Sequence, residues 1–176
     1  AFTQRDIKRV LAYSTISQLG YMFAGLGVGA FASAIFHLMT HGFFKAVLFL
    51  CVGILAHAAG KSTVSVSEVG GLRRQMPFTF LCFLAAALSL AGIWPLAGFY
   101  SKDAILDAAF EHGGWAVPAG LAIAAGSAFY ISRMLFLTFF GSRPEQKPSE
   151  HLHEVSPIMA VPVAFLALGA VAVGWL

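Results

Sequence analysis

The stretch HLMTHGFFKAVLFL, residues 37–50, sets His37, His41 and Lys45 in otherwise apolar surroundings. Spaced by four, the three share one face of a helix, with about 6 Å of rise between neighbours. Imidazole exchanges protons near neutral pH without assistance. Desolvation penalises an ammonium, so a lysine held in an apolar span can also release its proton. The three side chains therefore read as a ladder able to pass protons through intervening water. A lone histidine would more simply be a core ring donating to a carbonyl. Three titratable groups at i, i+4 and i+8 favour the proton path.

Two further basic groups lie away from the loops. Lys102 and Asp103 follow SLAGIWPLAGFY, in which Gly92, Pro95 and Gly98 crowd together. A lysine beside an unwound turn finds carbonyls and water for its charge, and the adjacent carboxylate can modulate it. The competing reading is an interfacial Lys–Asp pair that snorkels outward. Arg133 falls near the end of its span and is expected to snorkel or pair with a carboxylate; a guanidinium stays charged and cannot relay protons. A basic group at mid-membrane costs at least ~2.5 kcal/mol unless paired or hydrated, so Lys45 and Lys102 are functional candidates.

Other chemistries fit less well. His37 and His41 form an HxxxH pair, but Leu38 stands where the HExxH glutamate would be and no third zinc ligand is evident. Bis-histidine haem would need a facing histidine on another span; His57 lies toward the opposite end of the same helix. The run EHLHE, residues 150–154, reads as a solvated loop before a metal site. Cys51 and Cys82 sit in apolar runs and read as small hydrophobes. With no glycine-rich nucleotide loop and no cysteine cluster, the chain encodes no redox site.

These groups must be positioned by membrane helices. Of 176 residues, 59% are hydrophobic and 11% charged, less than half the charged share of a soluble domain, roughly a quarter. The net charge of +3 comes without a basic stripe interleaved with aromatics, so nucleic acid is not an expected partner. Apolar segments of about 20 residues mark approximate spans at 10–28, 31–58, 78–110, 115–140 and 157–176. As one helix the third would reach about 50 Å against a hydrocarbon core of about 30 Å. Pro95 and its flanking glycines predict a break near 92–99, of the kind that lines wet cavities in transporters. Lys and Arg alternate across the connections: Arg5, Lys8 and Arg9, then Lys61, Arg73 and Arg74, then Arg143 and Lys147 on one side, with none between. The positive-inside rule assigns the N-terminus and the 60–77 and 141–156 loops to the cytoplasm. The fold class is thus all-α, a polytopic membrane bundle of about five transmembrane helices, one discontinuous. Without an initial Met or a signal-peptide pattern, the chain reads as an internal piece of something longer.

The residues also carry a family likeness. RDIKRVLAYSTISQLGYMFAGLGVGAFASAIFHLMTHGFFKAVLFL resembles the antiporter-like core of respiratory NADH:quinone oxidoreductase, complex I, a core shared with multisubunit sodium/proton antiporters. GGLRRQMPFTFLCFLAAALSLAGIWPLAGFYSKDAIL, taken with FHLMTHGFFKA, is similar to its L-type subunits, whose mitochondrial counterpart is subunit 5. The likeness runs to about Gly141 and is weak beyond. It implies that Lys45 is the family's central-axis lysine and that His37 and His41 connect it along the membrane. Lys102, with Asp103 beside it, would be the broken-helix lysine that exchanges protons with the outer side. It further implies one inverted five-helix repeat of a longer subunit, supplying a half-channel without pumping alone. No cofactor is implied in this chain; NADH, FMN, iron–sulfur clusters and quinone would belong to partner subunits. The implied partners are other membrane subunits of complex I, especially a neighbouring antiporter-like subunit, and the lipid bilayer. A bacterial cytoplasmic membrane is favoured over the mitochondrial inner membrane by the Ala- and Gly-rich composition. The alternative is a subunit of a sodium/proton antiporter, or of a related membrane-bound hydrogenase or dehydrogenase.

Overall fold

The computed structural model describes residues 1–62, 64–66, 69–141, 154 and 156–175, and every described regular element is helical. In chain order the helices are α1 (Ile7–Gly27), α2 (Phe31–Ala58), α3 (Pro77–Ala91), α4 (Ala97–His112), α5 (Ala116–Phe139) and α6 (Pro157–Ala172). Short 3₁₀ turns cover Leu72–Arg74 and Val173–Trp175. Of the run EHLHE only Glu154 lies within the described residues, and Arg143 and Lys147 lie outside them.

Helix α2 is the axis of the bundle. Its 28 residues reach about 42 Å, and α1, α3, α4 and α6 all pack on it. Among the described residues, three helices are long and apolar enough to cross a membrane: Phe31–Ala58, Ala116–Phe139 and Pro157–Trp175. α1 and the broken pair α3–α4 fall outside these three for separate reasons. α1 turns a stripe of Ile7, Val10, Leu11, Ser14, Gln18, Tyr21, Met22 and Gly25 inward, so its centre is polar inside and apolar outside, with Ile16, Leu19 and Phe23 exposed. α3 and α4 have 15 and 16 residues, about 22–24 Å each and too short to span singly.

The break between α3 and α4 covers residues 92–96, and α4 is already helical from Ala97. Gly92 ends α3 in the left-handed region at φ +82°, where its N–H bonds the Ser89 carbonyl and the Ile93 N–H bonds the Leu88 carbonyl, at 3.0 and 3.1 Å. This crossed pair is a Schellman closure, which glycine adopts without a Cβ penalty. The start of α4 is then pinned from two sides. Gly98 N–H donates to Ser89 Oγ at 3.0 Å while Ser89 Oγ donates to the Ala170 carbonyl of α6 at 2.9 Å.

One end of the bundle collects the basic segments. Ile7 N–H bonds the Val64 carbonyl and Val66 N–H the Arg5 carbonyl, tying the N-terminal segment to the connection after α2. Lys8 Nζ donates to the Ser62 carbonyl. Glu154 caps α3, accepting from Phe78 N–H at 2.9 Å and Thr79 Oγ1 at 2.7 Å. Arg133 reaches the same end but donates to the Gln4 main-chain carbonyl at 3.4 Å rather than to a carboxylate. Arg73 stacks over Phe140 at 4.9 Å.

The tightest steric point is Gly98, where a Cβ would collide with the Ser89 carbonyl. Gly98→Ala should therefore separate α3 from α4 at the cost typical of overpacking, about 1–3 kcal/mol. The expected result is a lower thermal midpoint and a lower yield of folded protein on size exclusion, whereas Gly42→Ala, with open space at its Cβ, should leave both unchanged.

Candidate functional site

The buried face of α2 carries His37, His41 and Lys45, which are 0%, 6% and 5% exposed. His37 is held at both ring nitrogens: Nδ1 lies 2.9 Å from Ser101 Oγ of α4, and Nε2 lies 3.1 Å from Gln18 Oε1 of α1. An amide oxygen only accepts, so Nε2 carries a proton and, in the neutral ring, Nδ1 accepts from Ser101. Thr40 Oγ1 stands 2.8 Å from the same serine oxygen and 3.1 Å from the His37 carbonyl. His41 is placed differently. Its ring packs edge-on against Phe44 at 5.4 Å and faces His37 at 6.2 Å. Its buried Nε2 has no hydrogen-bond partner among the described residues.

The two buried lysines have neutral acceptors. Lys45 Nζ donates to the Leu11 carbonyl at 3.1 Å and to Ser14 Oγ at 2.6 Å, both on α1. Ser14 Oγ in turn bonds the Tyr130 hydroxyl of α5. Lys102, 4% exposed, donates to the Leu90 carbonyl of α3 and to Ser127 Oγ of α5 at 2.6 Å. The Leu90 carbonyl is free for this because the helix stops at Ala91, leaving its last carbonyls without intrahelical donors. Tyr21 OH secures the Lys102 carbonyl at 2.9 Å. Such partners suit an amine that changes charge. A hydroxyl accepts from an ammonium and donates to a neutral amine, whereas a carboxylate would hold the ammonium form.

The site therefore brings Lys45, His41 and His37 together on α2 and joins His37 to α4 through Ser101, one residue before Lys102. Asp103 stands apart: it is exposed while Lys102 is buried, as consecutive helical residues point about 100° apart. The residues that sequence reasoning missed are Ser14, Gln18, Ser101, Ser127 and the Tyr21 and Tyr130 hydroxyls. Ser14 and Gln18 carried a signal, a spacing of four within a largely apolar helix. Cys51 and Cys82 are free and buried, and His57 is exposed near the end of α2. Among the described residues no three His, Cys, Asp or Glu side chains cluster to hold a metal ion.

Comparison with known proteins gives a consistent picture. Residues 1–142 match the family described as NADH:quinone oxidoreductase/Mrp antiporter, TM. NADH-quinone oxidoreductase subunit L of Rickettsia felis is 46% identical over 171 residues, covering 97% of this chain and 26% of the relative. NADH-ubiquinone oxidoreductase chain 5 of Phytophthora infestans is 44% identical over 178 residues, covering 98% and 27%. The chain thus spans about a quarter of the length of these curated relatives. A chain of the archaeal membrane-bound sulfane sulfur reductase superposes with a TM-score of 0.83 at 35% identity, covering 95% of this chain and 28% of that one. A chain of the Mrp complex from Dietzia sp. DQ12-45-1b superposes at 0.86 and 21% identity, covering 99% and 40%, a likeness of fold.

The different settings of Lys102 and Asp103 give a ranking. Lys102→Met, which takes the amine away from the Leu90 carbonyl and Ser127 Oγ, should shift the thermal midpoint of the purified protein, whereas Asp103→Asn at its exposed position should leave it nearly unchanged. Equal shifts in scanning fluorimetry would mean that the carboxylate is held as firmly as the amine despite its exposure.

Proposed function

Because the chain belongs to the NADH:quinone oxidoreductase/Mrp antiporter transmembrane family, we propose that it forms a half-channel of a proton-translocating NADH:quinone oxidoreductase. The observation that carries this reading is the pair of buried lysines solvated by neutral dipoles, with His37 hydrogen-bonded to the broken-helix segment between them. Lys45 and His41 form the inner part of the path, and His37 with Ser101 joins it to α4. Lys102 serves the outer part, and Asp103 supplies an exposed carboxylate at its mouth. A proton arriving at one lysine raises the electrostatic cost of charge on the other, so charge moves between them as local hydration changes.

In this reading the chain is a non-redox part of a translocase and is not catalytic alone. NADH, flavin, iron–sulfur clusters and quinone reside on partner subunits, and the energy of quinone reduction arrives as a change in field and hydration. Its neighbours are other membrane subunits, including a further antiporter-like subunit. The chain resides in a bacterial cytoplasmic membrane, with its basic end inward by the positive-inside rule. The family also includes Mrp antiporters, as its description states, so sodium/proton exchange is the second reading. Sodium-dependent transport that persists without NADH would favour it.

The test is Lys45→Ala in the intact complex, with pumping and NADH:quinone activity followed in inverted vesicles. Pumping should fall about a hundredfold or more, the scale of a lost proton-transfer group, with assembly retained. Wild-type pumping would make Lys45 a tolerated buried charge and remove the basis of the proposal.

A further inference from the structure

The hydrogen bonds around Lys45 continue past Ser14. Ser14 Oγ and the Tyr130 hydroxyl are bonded inside the bundle, their residues 0% and 3% exposed. Gln18 lies one helical turn beyond Ser14 on the same buried face of α1. Gln18 Oε1 takes the Nε2 proton of His37 at 3.1 Å, and Gln18 Nε2 is buried with no partner among the described residues. Lys45 and His37, eight residues apart on α2, thus bond side chains one turn apart on α1, Ser14 and Gln18, with Tyr130 of α5 bonded to Ser14. His41, lying between them on α2, contributes no hydrogen bond from its Nε2 to that link.

Each hydroxyl has one proton to donate, and this fixes how the link responds to charge. With Lys45 as an ammonium, Nζ donates to Ser14 Oγ, so the serine proton turns to Tyr130 and the phenol proton turns on to Gln18 Oε1. With Lys45 as a neutral amine, the nitrogen lone pair accepts from Ser14. Tyr130 then donates to Ser14, and its oxygen is open to the Gln18 Nε2–H. One proton gained or lost at Lys45 therefore reverses the Ser14–Tyr130 bond. Neither hydroxyl gives up its proton, so the balance of protons stays at the lysine. The amide oxygen that serves His37 is either shared with the phenol or left to His37 alone.

We propose that Tyr130 is a further positioning residue of the path, coupling the charge on Lys45 to the protonation of His37 through Ser14 and Gln18. The inference rests on the proton-path reading of Lys45 and His37 and assigns them a connection other than the spacing along α2. The titratable groups around this link are Lys45, His41 and His37 from α2, Tyr21 from α1 and Lys102 from α4.

The experiment replaces Tyr130 by Phe in the intact complex, which keeps the ring and removes the hydroxyl. Protons pumped per NADH oxidised should fall about threefold or more, as for loss of one buried hydrogen bond. 3-Fluorotyrosine at the same position, which keeps the hydroxyl, should restore pumping; a role in packing alone would leave the Phe variant at wild-type levels. A phenol C–O band in the reduction-induced infrared difference spectrum should disappear in Tyr130→Phe and also in Lys45→Ala. If Tyr130→Phe does not assemble, Ser14→Ala breaks the same link from α1 and should give the same loss. Wild-type pumping by either assembled variant overturns the inference. If Lys45→Ala abolishes pumping while Tyr130→Phe is normal, this inference alone fails; if Lys45→Ala is normal, the proton-path reading fails.

Discussion

An amine buried in an apolar bundle must be solvated by protein dipoles, and the placement of α1, α3 and α5 around α2 and α4 answers that requirement. Lys45 takes a carbonyl and a hydroxyl from α1. Lys102 takes a carbonyl from α3 and a hydroxyl from α5. Had either acceptor been a carboxylate, the ammonium would have been fixed. Had neither been present, burial of the charge would have cost several kcal/mol. Neutral acceptors leave both charge states accessible, and this is the property a relay needs.

The broken helix follows from the same requirement. An unbroken helix would engage the Leu90 carbonyl with its own backbone. Stopping at Ala91 releases it, and the Schellman closure at Gly92 turns the chain so that α4 can return Lys102 to it. Ser89 then holds the two pieces together by accepting from Gly98 and donating to α6. The packing is accordingly inverted at its centre. α1 and α5 turn Ser14, Gln18, Ser127 and Tyr130 inward, while Ile16, Phe23, Phe129 and Phe136 lie on the outside, where an apolar medium or a partner surface would meet them.

Much of this was legible in the sequence. Lys45 and the histidines stood out because a titratable group in an apolar run is costly, and their spacing of four placed them on one face. The crowding of Gly92, Pro95 and Gly98 marked the break, since it removes a donor and loosens the backbone. The partners were harder to see. A serine or tyrosine in a span costs little, so Ser14, Ser127 and Tyr130 look alike whether they face a neighbour or the outside; packing decides. Nearness in sequence does not fix direction: Asp103 adjoins Lys102 in the chain but is exposed while Lys102 is buried. Arg133 found a main-chain carbonyl of the N-terminal segment, a partner that no side-chain pattern encodes.

On the proposed path Lys45 exchanges a proton rather than supplying a fixed charge. The most direct measurement is the number of protons pumped per NADH oxidised by the intact complex carrying Lys45→Arg. A guanidinium keeps the positive charge and donates hydrogen bonds but does not deprotonate. On the proposed path pumping falls sharply in the assembled variant. Pumping at the wild-type ratio would contradict it, because a permanent charge at position 45 would then suffice.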